Sequence, residues 1–292
     1  MQEGLWHCRW TTGCALLLAM FTLSALPAAA QDVPGVGDGY IIFGQTATFS
    51  GPAAELGKEV RLGIEAAFNQ VNSAGGVHGR ELRLRSLDDK YEPNNAITNV
   101  RQLLGEYDTF ALVGGIGEPT ARAVAPIVEA ARVPYVAPFT GAGFLRDRSR
   151  YRTIINLRTS YEQEVIEIVE RLTQDRGISR IGIVYQEDSF GRSGLESAEF
   201  ALRLYGLTLV ARGTFPRNTT AVKSAVFDLM ISDPEAVILI GAYRSIATMV
   251  RWSNAVGFKP VFASISAVGG VSLSRALEGG AQELYMTQTT PS

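Results

Sequence analysis

The sequence predicts an α/β fold of two Rossmann-like lobes, each a doubly wound parallel sheet, joined by a hinge. Three observations point there. Short apolar runs of strand length alternate with helical stretches from Tyr40 onward. The alternation restarts after Asn156. No Pro-, Gly- or Ser-rich linker separates the two runs, and a short direct crossing suits a hinge better than a tether. Strands alternating with helices imply a parallel sheet covered on both faces. The division is read as 31–156 for the first lobe and 157–292 for the second.

Residues 1–30 stand apart as a signal peptide. Arg9 and the amino terminus precede an apolar segment, Ala15 to Leu26. Pro27 breaks it, and Ala28-Ala29-Ala30 supplies small residues for cleavage before Gln31. The apolar segment is short for a membrane anchor. Both cysteines, Cys8 and Cys14, fall inside residues 1–30, so the remaining chain is expected to hold no disulfide although it is exported to the periplasm.

In the first lobe, Tyr40 to Gly44 reads as a buried strand. A helix opens near Pro52, with Leu56, Val60, Ile64, Ala67, Phe68 and Val71 at helical spacing, and Gly75-Gly76 stops it. Leu82 and Leu84 alternate in a second strand that ends at Asp88-Asp89. Pro93 starts a helix carrying Ala96, Val100, Leu103 and Leu104. Phe110 to Val113 is a third strand, Pro119 to Ala131 a helix, and Tyr135 to Ala137 a fourth strand. Thr153 to Ile155 reads as an extended crossing segment.

In the second lobe, Ser160 and Gln163 form a capping box for a helix to Leu172. Strands are expected at Ile181–Tyr185, Leu207–Val210, Ala236–Ile240 and Val261–Ala263, and another begins at Leu284. The intervening helices are read at Ser189–Leu204, Ala221–Met230 and Ser245–Ala255.

The composition narrows the function classes. Hydrophobic residues make up 46% and charged residues 19%, and the net charge is -2. A slightly acidic chain has no general attraction to nucleic acid. Arg146, Arg148, Arg150 and Arg152 form a basic stretch, but only Tyr151 is interleaved, so a solvated loop is favoured; docking to a partner is the alternative. Two histidines and two cysteines leave almost no material for a zinc cage, and no cofactor is expected.

In open parallel sheets ligands bind outside the carboxyl ends of the strands, where helix N-termini present free N–H groups. That rule nominates Ser50-Gly51-Pro52, Glu118-Pro119-Thr120 and Phe139-Thr140-Gly141 in the first lobe. In the second it nominates Asp188-Ser189-Phe190, Ala242-Tyr243-Arg244 and Ser264-Ile265-Ser266. Two such edges facing each other make a cleft with polar walls and a few aromatics, suited to a small polar molecule.

The same segments carry a resemblance. Phe49 to Ala54 resembles the x-S/T-G-P-x-A loop of type I periplasmic binding proteins, in particular the branched-chain amino-acid (Leu/Ile/Val) binding family of ABC transporters. Asn72 to Arg80 is similar to that family's N-x-x-G-G-x-x-G-x turn, and Leu87-Asp88-Asp89 to its strand end. Val113-Gly114 with Pro119-Thr120 and Val133-Pro134, and Tyr185 to Gly191, complete a match in register over residues 40 to 288. The resemblance implies a two-lobed flytrap that delivers a small polar solute to an inner-membrane permease, without catalysis and as a monomer.

Ligand roles follow from the resemblance position by position. A Ser or Thr at the place of Glu118, with backbone around Phe139 and a Thr at the place of Gly141, would hold the solute's carboxylate. An aromatic at Phe190 and Tyr243 would wall the cleft, and an acid at the place of Ser266 would pair its ammonium. This sequence departs at Glu118, Gly141 and Ser266. A desolvated carboxylate facing another is strongly unfavourable, so the expectation is a neutral or cationic solute, such as an amide, urea-like compound or amine, with Glu118 as acceptor. Ser50, Thr140, Tyr161, Phe190 and Tyr243 remain usable, and with Pro119, Thr120, Phe139, Gly141 and Ser266 they form the candidate site.

Plainer readings stand beside these. Glu118 at a helix start is a common cap. Asp88-Asp89 reads as a turn pair rather than an acid and base, and Tyr161 simply follows the cap of its helix. Other functions fit less well. Gly115-x-Gly117 lacks the third glycine of a dinucleotide fingerprint, having Thr120 instead. A secreted α/β hydrolase would need a nucleophile elbow and a base, and Gly191-Arg192-Ser193-Gly194 and the lone His78 supply neither. A sensory receptor domain of the same fold is the nearest alternative. The chain stops at Ser292, short of the return crossing the resemblance implies, so the second lobe is expected to be incomplete.

Overall fold

The computed structural model describes residues 33–280 and 283–289. The signal expected over 1–30 lies outside them. Among the described residues no helix is long and apolar enough to cross a membrane.

The chain alternates strand and helix as expected. β1 (Tyr40–Ala47), α1 (Ala54–Ser73), β2 (Glu81–Asp88), α2 (Pro93–Gly105), β3 (Ala111–Val113), α3 (Glu118–Ala131), β4 (Tyr135–Val136) and β5 (Ile154–Ile155) come first. Their strands form one parallel sheet in the order β2-β1-β3-β4-β5. Then follow α4 (Tyr161–Glu170), which runs on into a π-turn at Arg171–Asp175, β6 (Ile181–Gln186), α5 (Ser189–Leu204), β7 (Ala211–Phe215) and α6 (Lys223–Ser232). The series ends with β8 (Ala236–Ile240), α7 (Tyr243–Ala255), β9 (Val261–Ser264), α8 (Gly270–Leu277) and β10 (Leu284–Met286). These strands form a second parallel sheet, β10-β9-β8-β6-β7. Read from β7, the second order repeats the first. Each sheet reverses direction between its first and third strands, at β1/β3 and β6/β8, and such switch points are where α/β sheets open a crevice.

Three differences from the sequence reading have local causes. The expected strand at Leu207–Val210 is displaced to Ala211–Phe215. Leu207 N–H closes the end of α5 on Leu202 O, with Gly206 left-handed at φ 68, and Leu207 and Leu209 pack on the second-sheet core. The ladder starts one residue later, where Ala211, Gly213 and Phe215 turn inward and Arg212 and Thr214 outward. Thr153–Ile155 is not only a crossing, because Ile154–Ile155 pairs with β4 as the sheet's last strand. Helix α8 went unread because it is short and opens on Gly269-Gly270, its cap and first residue.

The second sheet is covered on both faces, by α4 and α5 on one side and α6 and α7 on the other. In the first sheet α2 and α3 bury Leu103, Leu112, Val124 and Tyr135. On its other face α1 covers Phe43, which meets Phe68 with ring centroids 5.0 Å apart. Beyond α1 this face is open, with Ile155 43% and Leu157 73% exposed.

The capping box forms at α4: Ser160 Oγ accepts from Gln163 N–H at 3.2 Å, and Gln163 Oε1 accepts from Ser160 N–H at 3.4 Å. Ser160→Ala should cost about 1 kcal/mol of stability by urea unfolding, because α4 would start with unsatisfied N–H groups. No change would show that packing alone sets this helix start.

Candidate functional site

The switch points of both sheets open on one gap. Its volume is about 20 Å³, room for a water or two. The first sheet contributes Leu56 from α1, Ile116-Gly117 before α3, and Phe139 after β4. The second contributes Phe190 from α5, Gly241-Ala242 after β8, and Ala267 after β9. Tyr161 enters from the first turn of α4 and meets Phe190 with the rings tilted at 55°, centroids 5.2 Å apart. Larger hollows exist, one of about 380 Å³ beside β10 and one of about 370 Å³ lined by Arg244, Arg251 and Arg275. The first lies away from both switch points, and the second, which takes in Glu55, Tyr243 and Arg244, flanks them; the gap bounded by strand ends of both sheets is the candidate site.

Tyr91 is part of this wall, although the sequence reading did not nominate it. Lys90 and Tyr91 take left-handed backbone, φ 55 and 60, which swings the Tyr91 ring onto Gly117. A Cβ at Gly117 would lie 2.2 Å from that ring, so only glycine fits there. The strand-end rule, applied to β2 as it was to β1, β3 and β4, would have found Tyr91. Its phenol is held well above the usual range, first by burial and then by the charge of Asp188.

The nominated residues separate into two groups. Phe139, Tyr161 and Phe190 line the gap. Thr140 supports it from behind, its Oγ1 2.8 Å from the Tyr161 hydroxyl. Gly141 has no room for a side chain, since a Cβ would stand 2.6 Å from Thr159 O and from the Tyr161 ring. That explains the absent hydroxyl. Ser50 lies outside the gap, exposed, and donates to Asp88 Oδ2 at 2.7 Å. Asp88 also accepts from Phe49 N–H and Lys90 N–H, both at 2.9 Å, so it ties two loops together. Pro119 and Thr120 are buried in the first turn of α3, where Thr120 Oγ1 donates to Ile116 O and Gly117 O. Tyr243 does not face the gap. As the first residue of α7 it turns into the second-sheet core, and its hydroxyl accepts from Arg244 Nε at 3.2 Å.

Glu118 is fully buried. Its Oε1 accepts from Arg122 Nη2 at 2.6 Å and, across from α5, from Ser193 Oγ at 3.0 Å. Oε2 is buried without a partner. Burial raises its pKa against the opposing pull of Arg122 and Ser193. Asp89, at the end of β2, accepts from Tyr91 N–H at 2.8 Å and Thr46 Oγ1 at 3.0 Å, and burial pushes its carboxyl up to about 7. Asp188 caps α5 by accepting from Gly191 N–H at 3.0 Å, and burial raises its pKa also.

At the other end Ser266 has no charge of its own but holds one from elsewhere. Its Oγ accepts from Arg158 Nη2 at 2.5 Å, and its N–H donates to Glu164 Oε2 at 2.7 Å. The Arg158 guanidinium lies 4.1 Å from the Phe139 ring centroid. Burial lowers the Arg158 pKa, with Glu164 opposing. Sequence reasoning missed Arg158, which stands in the connection between the sheets and follows no strand end of the usual kind.

Further contacts bridge the two halves. Glu92 accepts from Arg217 and from Asn218, each at 2.6 Å, and Glu59 accepts from Ser272 Oγ at 3.0 Å. In these, as between Glu118 and Ser193, the acceptor comes from the first half and the donor from the second; Arg146 Nη2, which donates to Arg158 O, runs the other way.

Two sheets of one strand order whose switch points meet at an aromatic gap are the architecture of a type I periplasmic binding protein. A family model described as "Periplasmic binding protein" matches residues 41–291, and the chain belongs to that family, in its branched-chain amino-acid binding branch. It is similar to the Leu/Ile/Val-binding protein homolog 7 of Brucella abortus (strain 2308), 29% identical over 267 residues, covering 89% of this chain and 64% of that one. The chain thus spans less than two thirds of the length of that relative. Among solved structures it is similar to a possible leucine/isoleucine/valine-binding protein from Rhodopirellula baltica SH 1, with 34% identity and TM-score 0.82 over 90% of this chain and 71% of that one. It shares the fold of a fatty acid ABC transporter substrate-binding protein from Thermomonospora curvata, at 23% identity and TM-score 0.76 over 87% and 64% of the two chains.

Proposed function

We propose that this protein captures a small polar solute (an amino acid, an amide or a related amine) between its two halves and delivers it to an inner-membrane ABC permease. It works as a monomer in the periplasm, reached through the signal at 1–30, and leaves the solute chemically unchanged. The halves are 31–156 and 157–292, with the segment between β5 and α4 as hinge.

The observation that carries this reading is the gap itself, shared by two switch points and latched by Glu59, Glu92 and Glu118 against the second half. At about 20 Å³ it is far below the roughly 300–1,000 Å³ typical of ligand pockets. A solute therefore enters only when the halves part, and closure follows because the solute touches both walls. Only such differential contact shifts an open–closed equilibrium.

Calorimetry against small amino acids, amides and amines, paired with small-angle scattering, tests this. A bound solute should shrink the radius of gyration relative to the solute-free protein. Phe190→Ala, which removes one wall, should weaken that solute about tenfold or more. An unchanged radius at saturation, or turnover of the bound compound, overturns the reading.

A further inference from the structure

We propose that Arg158 and Glu118 are opposite poles of the solute site: Arg158 receives a carboxylate at the hinge end, and Glu118 receives an ammonium or amide N–H. The proposal rests on the solute-capture reading above and narrows its ligand to molecules bearing an acid group. It also reverses the polarity that the family resemblance implies, in which the acid group would lie at the position of Glu118.

Two half-satisfied charges carry the argument. Among the described residues, Ser266 Oγ is the one hydrogen-bond acceptor of the Arg158 guanidinium, and Nε is buried with no partner. The guanidinium lies over the ring of Phe139, a wall of the gap, and Ser266 adjoins Ala267, another wall. Its planar fork is therefore held in place by a ring and a hydroxyl, with donors to spare, which suits two-point binding of a carboxylate. Glu164 is its nearest candidate counter-ion, but no contact within 4 Å joins them among the described residues. Glu164 Oε2 is taken by Ser266 N–H and Thr287 Oγ1 instead, and its Oε1 is buried without a partner.

Glu118 is the mirror case. Oε1 is fully used and Oε2 is buried and unpartnered. A buried polar atom without a partner is costly, and an N–H from the solute would satisfy it. Tyr161 lines the gap with its hydroxyl on Thr140, and the charges of both Glu118 and Arg158 act on that phenol, with opposite sign. Each pole stands directly behind a wall of the gap, Glu118 next to Gly117 in the chain and Arg158 packed on Phe139.

Isothermal titration of the unaltered protein with the standard amino acids, their primary amides and their decarboxylated amines tests the carboxylate pole without any variant. We expect at least one amino acid to bind, and its amide and amine to bind about 30-fold or more weakly, the factor that charge-assisted hydrogen bonds supply. Arg158→Gln should bring the acid down to the level of its amide, with Arg158→Lys between. Glu118→Gln should weaken the amino acid but not its deaminated analogue. An amide bound as tightly as its acid, or an Arg158→Gln protein that binds the acid unchanged, overturns this assignment and leaves solute capture standing. No binding by any of these compounds, with no change in scattering radius, overturns the capture reading itself.

Discussion

Asp89→Asn should flatten the fall in stability between about pH 4 and 7 and leave the protein more stable at pH 8, by up to roughly 4 kcal/mol. The carboxyl is fully buried, and its pKa is pushed up to about 7 from 3.8 by burial, with Asp88 and Glu92 adding repulsion and the Tyr91 N–H and Thr46 hydroxyl opposing. Each pKa unit is worth about 1.4 kcal/mol, which sets the figure. The sign follows from linkage. A carboxyl whose folded pKa lies above its unfolded value stabilises fully below pH 4, when both states are protonated, and that share is lost as pH rises to about 7. Above that pH the group adds no further slope. Asparagine keeps an acceptor for Tyr91 N–H and never ionises. Glu118 and Asp188, also raised by burial, keep part of the slope in the variant. Carboxylates held low, such as Glu283 at about 2, act only in more acid solution. Urea unfolding at pH 5, 6, 7 and 8 reads the effect. Parallel pH profiles for the two proteins would show that Asp89 ionises in place without penalty.

Gly191→Ala and Gly57→Ala should each cost about 3 kcal/mol or more. A Cβ at Gly191 would lie 1.7 Å from Gln186 O, and one at Gly57 would lie 1.8 Å from Thr48 O. Both obstacles are backbone at the end of a strand, so no side chain can swing away. Relief means lifting α5 off β6, or α1 off the loop after β1. Overpacking of a rigid site typically costs 1–3 kcal/mol, and Gly191 N–H would also be pulled from its cap on Asp188. Gly63→Ala is the matched control, because a Cβ there meets nothing within 4 Å. It should stabilise α1 by about 0.5–1 kcal/mol. Equal effects at Gly63 and Gly191 in chemical unfolding would contradict the close-approach argument. The two glycines stand in corresponding places of the two halves. Gly51, in the loop before α1, is not such a position: it has φ 78 and open space around it.

The strands and helices were legible because their signals are local. Ala236-Val-Ile-Leu-Ile240 is buried on both faces and reads as one apolar run. Ser160 and Gln163 announce α4 three residues apart. The strand at Ala211–Phe215 was harder, since its alternation is weak and the stronger apolar run beside it closes a helix instead.

The order of elements, the parallel sheets and the strand ends that carry the candidate site were determined by the sequence alone, because hydrophobic period and helix caps act over a few residues. Which side chains face the gap was decided only in three dimensions. Tyr91 reaches it through a left-handed turn, while Tyr243, one residue into a helix, rotates into the core. Arg158 finds Ser266 across 108 residues of chain. A charge takes its meaning from the partners within a few ångströms, and those partners are brought together by the packing of two sheets, not by their spacing along the chain.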